Sequence, residues 1–169
     1  SLYRALVAEG HAVSIYNFTR QYPDFLFPGT TQEDESEAPF TVDSERIIDT
    51  LNPISWVRAA KRIAEAEPEH IVVQWWHPYF GPAFGTISRL LRRWCRAPIT
   101  YLCHNVLPHE SGRFDRSLSR YAYRSSHTFM VQATNERIRL RKLIGYGPPV
   151  EVAPHPVYDV FAAGELEEK

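Results

Sequence analysis

The stretch Thr100-Tyr101-Leu102-Cys103-His104-Asn105-Val106-Leu107-Pro108-His109-Glu110 decides how the chain reads. With Ile99 before it, its first half is apolar and partly aromatic, the composition of a covered, pleated surface, and predicts a buried strand. Polarity then arrives at once with His104 and Asn105, and Pro108 stops a helix from starting directly. In an open α/β sheet, ligands bind in the crevice outside the carboxyl ends of the strands. A strand that runs straight into His-Asn is therefore a candidate active-site edge. For one such end taken alone, bonding to loop backbone is the commoner role, because buried polar groups usually have structural partners.

Working outward, the same alternation repeats. Leu2, Ala5, Leu6 and Val7 predict an opening helix with Gly10 as its C′ residue, followed by a strand over Ala12–Phe18. A Pro-, Gly- and acid-rich stretch from Arg20 to Glu45 reads as loop, most acidic from Gln32 to Glu37. Arg46–Leu51 is a short strand candidate. Asn52 as N-cap and Pro53 at N1 start a helix whose apolar stripe is Trp56, Val57, Ala60, Ile63 and Ala64. His70–Trp76 is a near-continuous apolar strand suited to a parallel sheet covered on both faces. A helix from about Ala83 to Trp94 leads to the strand that opened the reading. Beyond it come a helix over about Asp115–Arg124, a strand over His127–Val131, a helix starting at an N-cap Thr134, and a last strand over Val150–Ala153. Strand and helix alternate throughout, which predicts an α/β fold: a doubly wound, mostly parallel sheet with helices on both faces.

The chain of 169 residues suits one domain with a real core, 44% apolar and 23% charged. No apolar run approaches the roughly 20 residues of a membrane span, and no secretory signal is expected before the first helix. Cys95 and Cys103 lack metal-knuckle spacing and read as reduced, cytosolic thiols. The sequence opens inside a βαβ unit without its first strand, so a segment cut from a longer protein is expected. The absent loop would sit at a helix N-terminus suited to an anion. Residues 1–158 are expected to form the domain and 159–169 a linker or tail.

Charge is unevenly spread. Between Arg89 and Lys142, twelve Lys and Arg oppose three acids, a segment charge of +9 against −10 for the remainder. Such asymmetry can mark a surface for phosphates, anionic lipid or nucleic acid, although solvated helix faces produce it equally well. Without a reading helix or aromatic sheet signature, no nucleic-acid partner is expected.

Three strands finish alike, in Trp76-His77-Pro78, Cys103-His104-Asn105 and Pro154-His155-Pro156. Parallel strands share a direction, so these ends fall on one rim. Imidazole there can serve as acid, base, donor or metal ligand near neutral pH. His104, His109 and Glu110 look superficially like a zinc set, but the His-Glu-x-x-His pattern is absent and Pro108 breaks the local helix, so no metal is expected. Neither a Gly-x-Ser-x-Gly elbow nor a Walker loop occurs.

Trp75-Trp76-His77-Pro78-Tyr79-Phe80-Gly81-Pro82, followed by His104-Asn105-Val106-Leu107-Pro108-His109-Glu110, resembles the amino-terminal domain of retaining glycosyltransferases of the GT-B fold, in the group 1 (family 4) set. Pro154–Phe161 resembles the segment leading into their second domain, and Ser1–Val13 their first helix and second strand. In that family two Rossmann-like domains face each other across a cleft. The amino-terminal one mainly holds the acceptor and the carboxyl-terminal one the nucleotide-sugar. The resemblance implies an acceptor half, inactive alone, with no cofactor of its own and the nucleotide-sugar donor bound mainly by the absent domain.

By position, the resemblance makes His104 the residue near the transferred sugar, stabilising charge or hydrogen-bonding a hydroxyl. Asn105, His109 and Glu110 would line the acceptor pocket, Glu110 having a salt bridge to Arg113 or Arg116 as an equal alternative. His77 and Trp76 would form the neighbouring wall. Strand alternation sends either Trp75 or Trp76 into the core, so only one can serve. His155 is expected to position the interdomain linker. The acceptor is expected to be a sugar or a lipid-linked molecule, and the protein cytoplasmic. Arg89–Arg96, with Trp94, is a candidate for peripheral contact with anionic membrane at its inner face. The competing readings are a non-catalytic α/β binding module using its basic half for an anionic partner, and a His-based metal hydrolase.

Overall fold

The computed structural model describes residues 2–23, 43–107 and 112–154. His109, Glu110, His155 and residues 159–169 lie outside them. Among the described residues all strand pairings are parallel, and the strands form one sheet of two and one of four, flanked by helices. The fold is α/β and Rossmann-like. The chain divides into two compact units, residues 1–69 with 82–97 and residues 70–81 with 98–169.

In the first unit, helix α1 (Leu2–Ala8) ends in a Schellman turn. The Gly10 N–H donates to the Val7 carbonyl and the His11 N–H to the Leu6 carbonyl, both at 3.0 Å. Gly10 adopts φ +87°, the left-handed geometry that a C′ glycine takes without a Cβ penalty. The apolar face expected of α1 is not buried: Leu2 and Val7 are 42% and 45% exposed. Periodicity sets which residues share a helix face, whereas burial needs a surface opposite that face.

Strand β1 spans Tyr16–Arg20, four residues later than the apolar run at Ala12 predicts. Pairing decides the difference. β2 (Glu45–Asp49) registers Tyr16 against Glu45 and Arg20 against Asp49. There the Arg20 guanidinium donates through Nε and Nη2 to the two Asp49 oxygens, at 2.9 and 2.6 Å. That contact, chiefly, holds the Asp49 carboxyl below its ordinary range. Helix α2 (Pro53–Glu65) begins as predicted: the Ile54 N–H donates to Asn52 Oδ1 at 3.1 Å, and Pro53 occupies the first turn. The Trp56 indole N–H donates to the Asp49 carbonyl at 2.8 Å, tying α2 to the end of β2. Most of helix α3 (Gly81–Trp94) also belongs to this unit, and Phe84 meets Phe18 with ring centroids 5.9 Å apart.

The second unit holds the four-stranded sheet, ordered β3 (Ile71–Trp75), β4 (Ile99–Cys103), β5 (Thr128–Val131), β6 (Val150–Val152). β4 is buried nearly throughout, as its composition predicts. β3 is less covered than expected: Val72 is 42% exposed, and among the described residues β3 is the edge of this sheet, paired with β4 alone. Helices α4 (Arg113–Tyr123) and α5 (Thr134–Ile144) make the crossovers to β5 and β6. Thr134 proves to be the first helical residue rather than the cap; Ala133 occupies that position, and no side chain caps it.

The core of this unit is aromatic. Trp75, Tyr101 and Phe129 project from three adjacent strands and are fully buried. The ring of Tyr123 sits among them, with centroids 5.0, 5.6 and 5.1 Å away respectively. Tyr123 crosses Tyr101 and Phe129 edge to face, the geometry that ring quadrupoles favour. Burial pushes the Tyr123 phenol well above its ordinary value and the Cys103 thiol up to about 12. Both groups stay neutral at physiological pH.

Candidate functional site

The polar edge forms where β3, β4 and β5 end side by side. Trp75 pairs with Cys103 and Cys103 with Val131, so residues 76, 104 and 132 leave the sheet together. The His104 N–H still donates to the Trp75 carbonyl at 2.8 Å, which carries the ladder one residue beyond β4. The loop that follows is pinned from both sides. The Val106 N–H donates to Glu136 Oε2 at 3.0 Å, and the Tyr123 hydroxyl donates to the Val106 carbonyl at 3.2 Å. Val106 itself is fully buried. The Arg139 guanidinium holds the other Glu136 oxygen at 2.8 Å. A buried loop amide and carbonyl each need such partners, and here the partners come from α5 and α4.

His104 is half-buried and flanked on both sides. Its Nε2 lies 2.8 Å from Gln74 Oε1, and its Nδ1 lies 2.9 Å from Gln132 Nε2. With the amides so oriented, Nε2–H donates to Gln74 and Nδ1 accepts from Gln132, the neutral tautomer assigned by the network. An imidazole engaged at both nitrogens is suited to orienting and hydrogen bonding. To take a proton through Nδ1 it would first have to release Gln132.

Asn105 is exposed beside it. Trp75 is the tryptophan that enters the core, leaving Trp76 half-buried with its ring 4.6 Å from that of Phe80. His77 is exposed and also structural: its Nδ1 accepts the Tyr79 N–H at 3.1 Å, capping a 3₁₀ turn over Pro78–Phe80. Its Nε2 has no protein partner among the described residues. The turn explains the His-Pro-Tyr-Phe-Gly block. Phe80 is buried, and Gly81 sits so close to α4 that a Cβ there would lie 2.7 Å from the Leu118 carbonyl oxygen.

Gln74 and Gln132 were not singled out by the sequence reading, nor were Glu136 and Tyr123. One signal was available for Gln74, a lone amide in the strand Ile-Val-Val-Gln-Trp. None pointed to Gln132, whose contact spans 28 residues. Among the described residues, no group of three or more His, Cys, Asp or Glu could hold a metal ion. None of their helices is long and apolar enough to cross a membrane. A cavity of about 600 Å³ lies elsewhere, lined by Arg137, Ile138, Arg141, Lys142, Gly145, Tyr146 and Val150 from α5, the turn after it and the start of β6.

Parallel strands that end in one polar rim, with helices as crossovers, define a Rossmann-like domain, a fold in which ligands commonly bind outside the strand carboxyl ends. The particular family follows from the sequence match: residues 1–157 fit the glycosyl transferase 4-like domain, and the chain belongs to that family. No curated protein and no solved structure matches it.

Proposed function

We propose that this chain is the acceptor-side domain of a nucleotide-sugar-dependent, retaining glycosyltransferase of hexosyltransferase type, forming one wall of an active-site cleft. The observation that carries the reading is His104, held at the carboxyl end of β4 by amides from both neighbouring strands, in a member of a glycosyltransferase family. Preorganised neutral donors aimed at a bound sugar cost little reorganisation during transfer. In this reading His104, with both ring nitrogens engaged by the flanking amides, orients the groups that face the transferred sugar and is not the base; in retaining transfer the departing phosphate assists the acceptor hydroxyl. Trp76 supplies an aromatic surface for a sugar ring, with His77 and Asn105 beside it. His109 and Glu110 complete the acceptor pocket. The nucleotide-sugar is held mainly by a second domain, and this domain alone is inactive.

The test is transfer by the natural protein that carries this domain, from a panel of nucleotide-sugars to sugar and lipid-linked acceptors, with the product anomer read by NMR. Retention of configuration is expected, and His104→Ala should lower kcat by about 10²-fold or more, because the amides it holds lose their orientation; the scale is that of losing one preorganised donor. An inverted product, or an unchanged kcat in His104→Ala, would overturn the assignment.

Peripheral membrane contact in the cytoplasm belongs to the same proposal. It is supported by the end of α3, where Trp94 is 46% exposed beside exposed Arg92, Arg93 and Arg96. Salt-sensitive cosedimentation with anionic vesicles, lost in Trp94→Ala, is the expected result; no binding at low salt would sink it.

A further inference from the structure

The two glutamines that flank His104 are themselves placed to read a ligand. A neutral imidazole has one N–H, so it donates on one side and accepts on the other. That asymmetry passes to the amides. On the Gln74 side the oxygen is consumed by His104 Nε2–H, which leaves the amide NH₂ as donor. On the Gln132 side an N–H is consumed by Nδ1, which leaves Oε1 as acceptor. Neither amide has another protein partner among the described residues, and Gln74 is exposed while Gln132 is half-buried. The two sit on either side of one ring, Gln74 within β3 and Gln132 one residue beyond β5, the two strands that flank β4, and strand ends hold geometry better than a long loop does.

We propose that Gln74 and Gln132 are the hydroxyl-reading residues of this rim. The Gln74 NH₂ donates to one hydroxyl of an uncharged sugar, Gln132 Oε1 accepts from another, and His104 locks both amides in the orientation this requires. The inference rests on the reading of the rim as a sugar site. The chemistry favours hydroxyls over phosphate or carboxylate, because the three side chains carry no formal charge and present one donor face and one acceptor face. A hydroxyl, being both donor and acceptor, satisfies either face.

Two NMR measurements on the full chain test it. Long-range ¹H–¹⁵N correlations should find His104 as the Nε2–H tautomer; the Nδ1–H tautomer would reverse both amides and overturn the proposal. Methyl glucopyranoside and methyl mannopyranoside are then titrated while the side-chain amides of Gln74 and Gln132 are followed. Saturable shifts at both amides are expected with at least one glycoside. Gln74→Met and Gln132→Met should each weaken that binding ~3–10-fold, the scale of one neutral hydrogen bond.

The His104 tautomer separates reading from support. In Gln74→Met the Nε2–H tautomer, still fixed by Gln132, should persist while glycoside binding falls. Weakened binding that comes only with a changed His104 tautomer would reduce Gln74 to a prop for His104 and overturn its reading role. Saturable shifts at the Trp76 indole N–H or at His77, with none at the two amides, would overturn this inference and keep the sugar site. The lack of a saturable shift anywhere on the rim would overturn both.

Discussion

The Tyr123 hydroxyl donates to the Val106 carbonyl at 3.2 Å, and through this bond the aromatic core holds the loop that leaves His104. Tyr123 is fixed by ring contacts to Trp75, Tyr101 and Phe129. Val106 is fixed on its other side by Glu136. The geometry of the polar rim is thereby coupled to packing beneath the sheet.

Tyr123→Phe should keep the ring packing and orphan the buried Val106 carbonyl. The expected cost is about 1–3 kcal/mol, the desolvation penalty of an unsatisfied buried acceptor. Thermal unfolding checks the stability, and faster amide exchange at Val106 would report the loosened loop. A variant as stable as the parent would show that the bond carries nothing.

Alkaline pH should destabilise the domain through the same cluster. Burial raises the Cys103 thiol from 9.0 to about 12 and lifts the Tyr123 phenol as well. The unfolded chain therefore loses these protons first. The Cys103 contribution is complete below pH 9.0 and is lost as pH rises toward about 12. The Cys103 slope should approach about 1.4 kcal/mol per pH unit between those limits. Denaturant midpoints measured from pH 8 upward should fall less steeply in Cys103→Ala than in the parent. Equal slopes would contradict the assignment.

Gly81→Ala should destabilise the domain by forcing the 3₁₀ turn away from α4. The added Cβ would lie 2.7 Å from the Leu118 carbonyl oxygen and 3.0 Å from its carbonyl carbon and Cβ. Backbone cannot yield as a flexible side chain does, so the 3₁₀ turn and α4 must separate. A loss of about 1–3 kcal/mol is expected, in the range of overpacked cores, and a melting curve decides it. Gly81 has φ −51°, so the cost is steric and does not come from backbone conformation.

Much of the fold was legible in local chemistry. Asn52-Pro53 announced the start of α2, and Gly10 announced the end of α1. The apolar run before His104 announced β4, whose interior position in its sheet matches its nearly complete burial. Where reading failed, a partner distant in sequence was responsible. β1 starts at Tyr16 because β2 pairs there, and Val72 is exposed because β3 has a single neighbour in its sheet. Neither fact is written in the local pattern.

For the candidate site the division is similar. The sequence by itself determined that strands would end in His77 and His104, that only one of Trp75 and Trp76 could face outward, and which family the motifs resemble. These follow from short-range rules of periodicity, capping and residue type. The tertiary structure decided that Trp76 is the outward ring and that His77 spends one nitrogen on capping a turn. It also decided that Gln74 and Gln132 hold His104 from both sides. Those contacts join residues 28 and 30 positions apart. Strand register creates them, and register is a property of the assembled sheet.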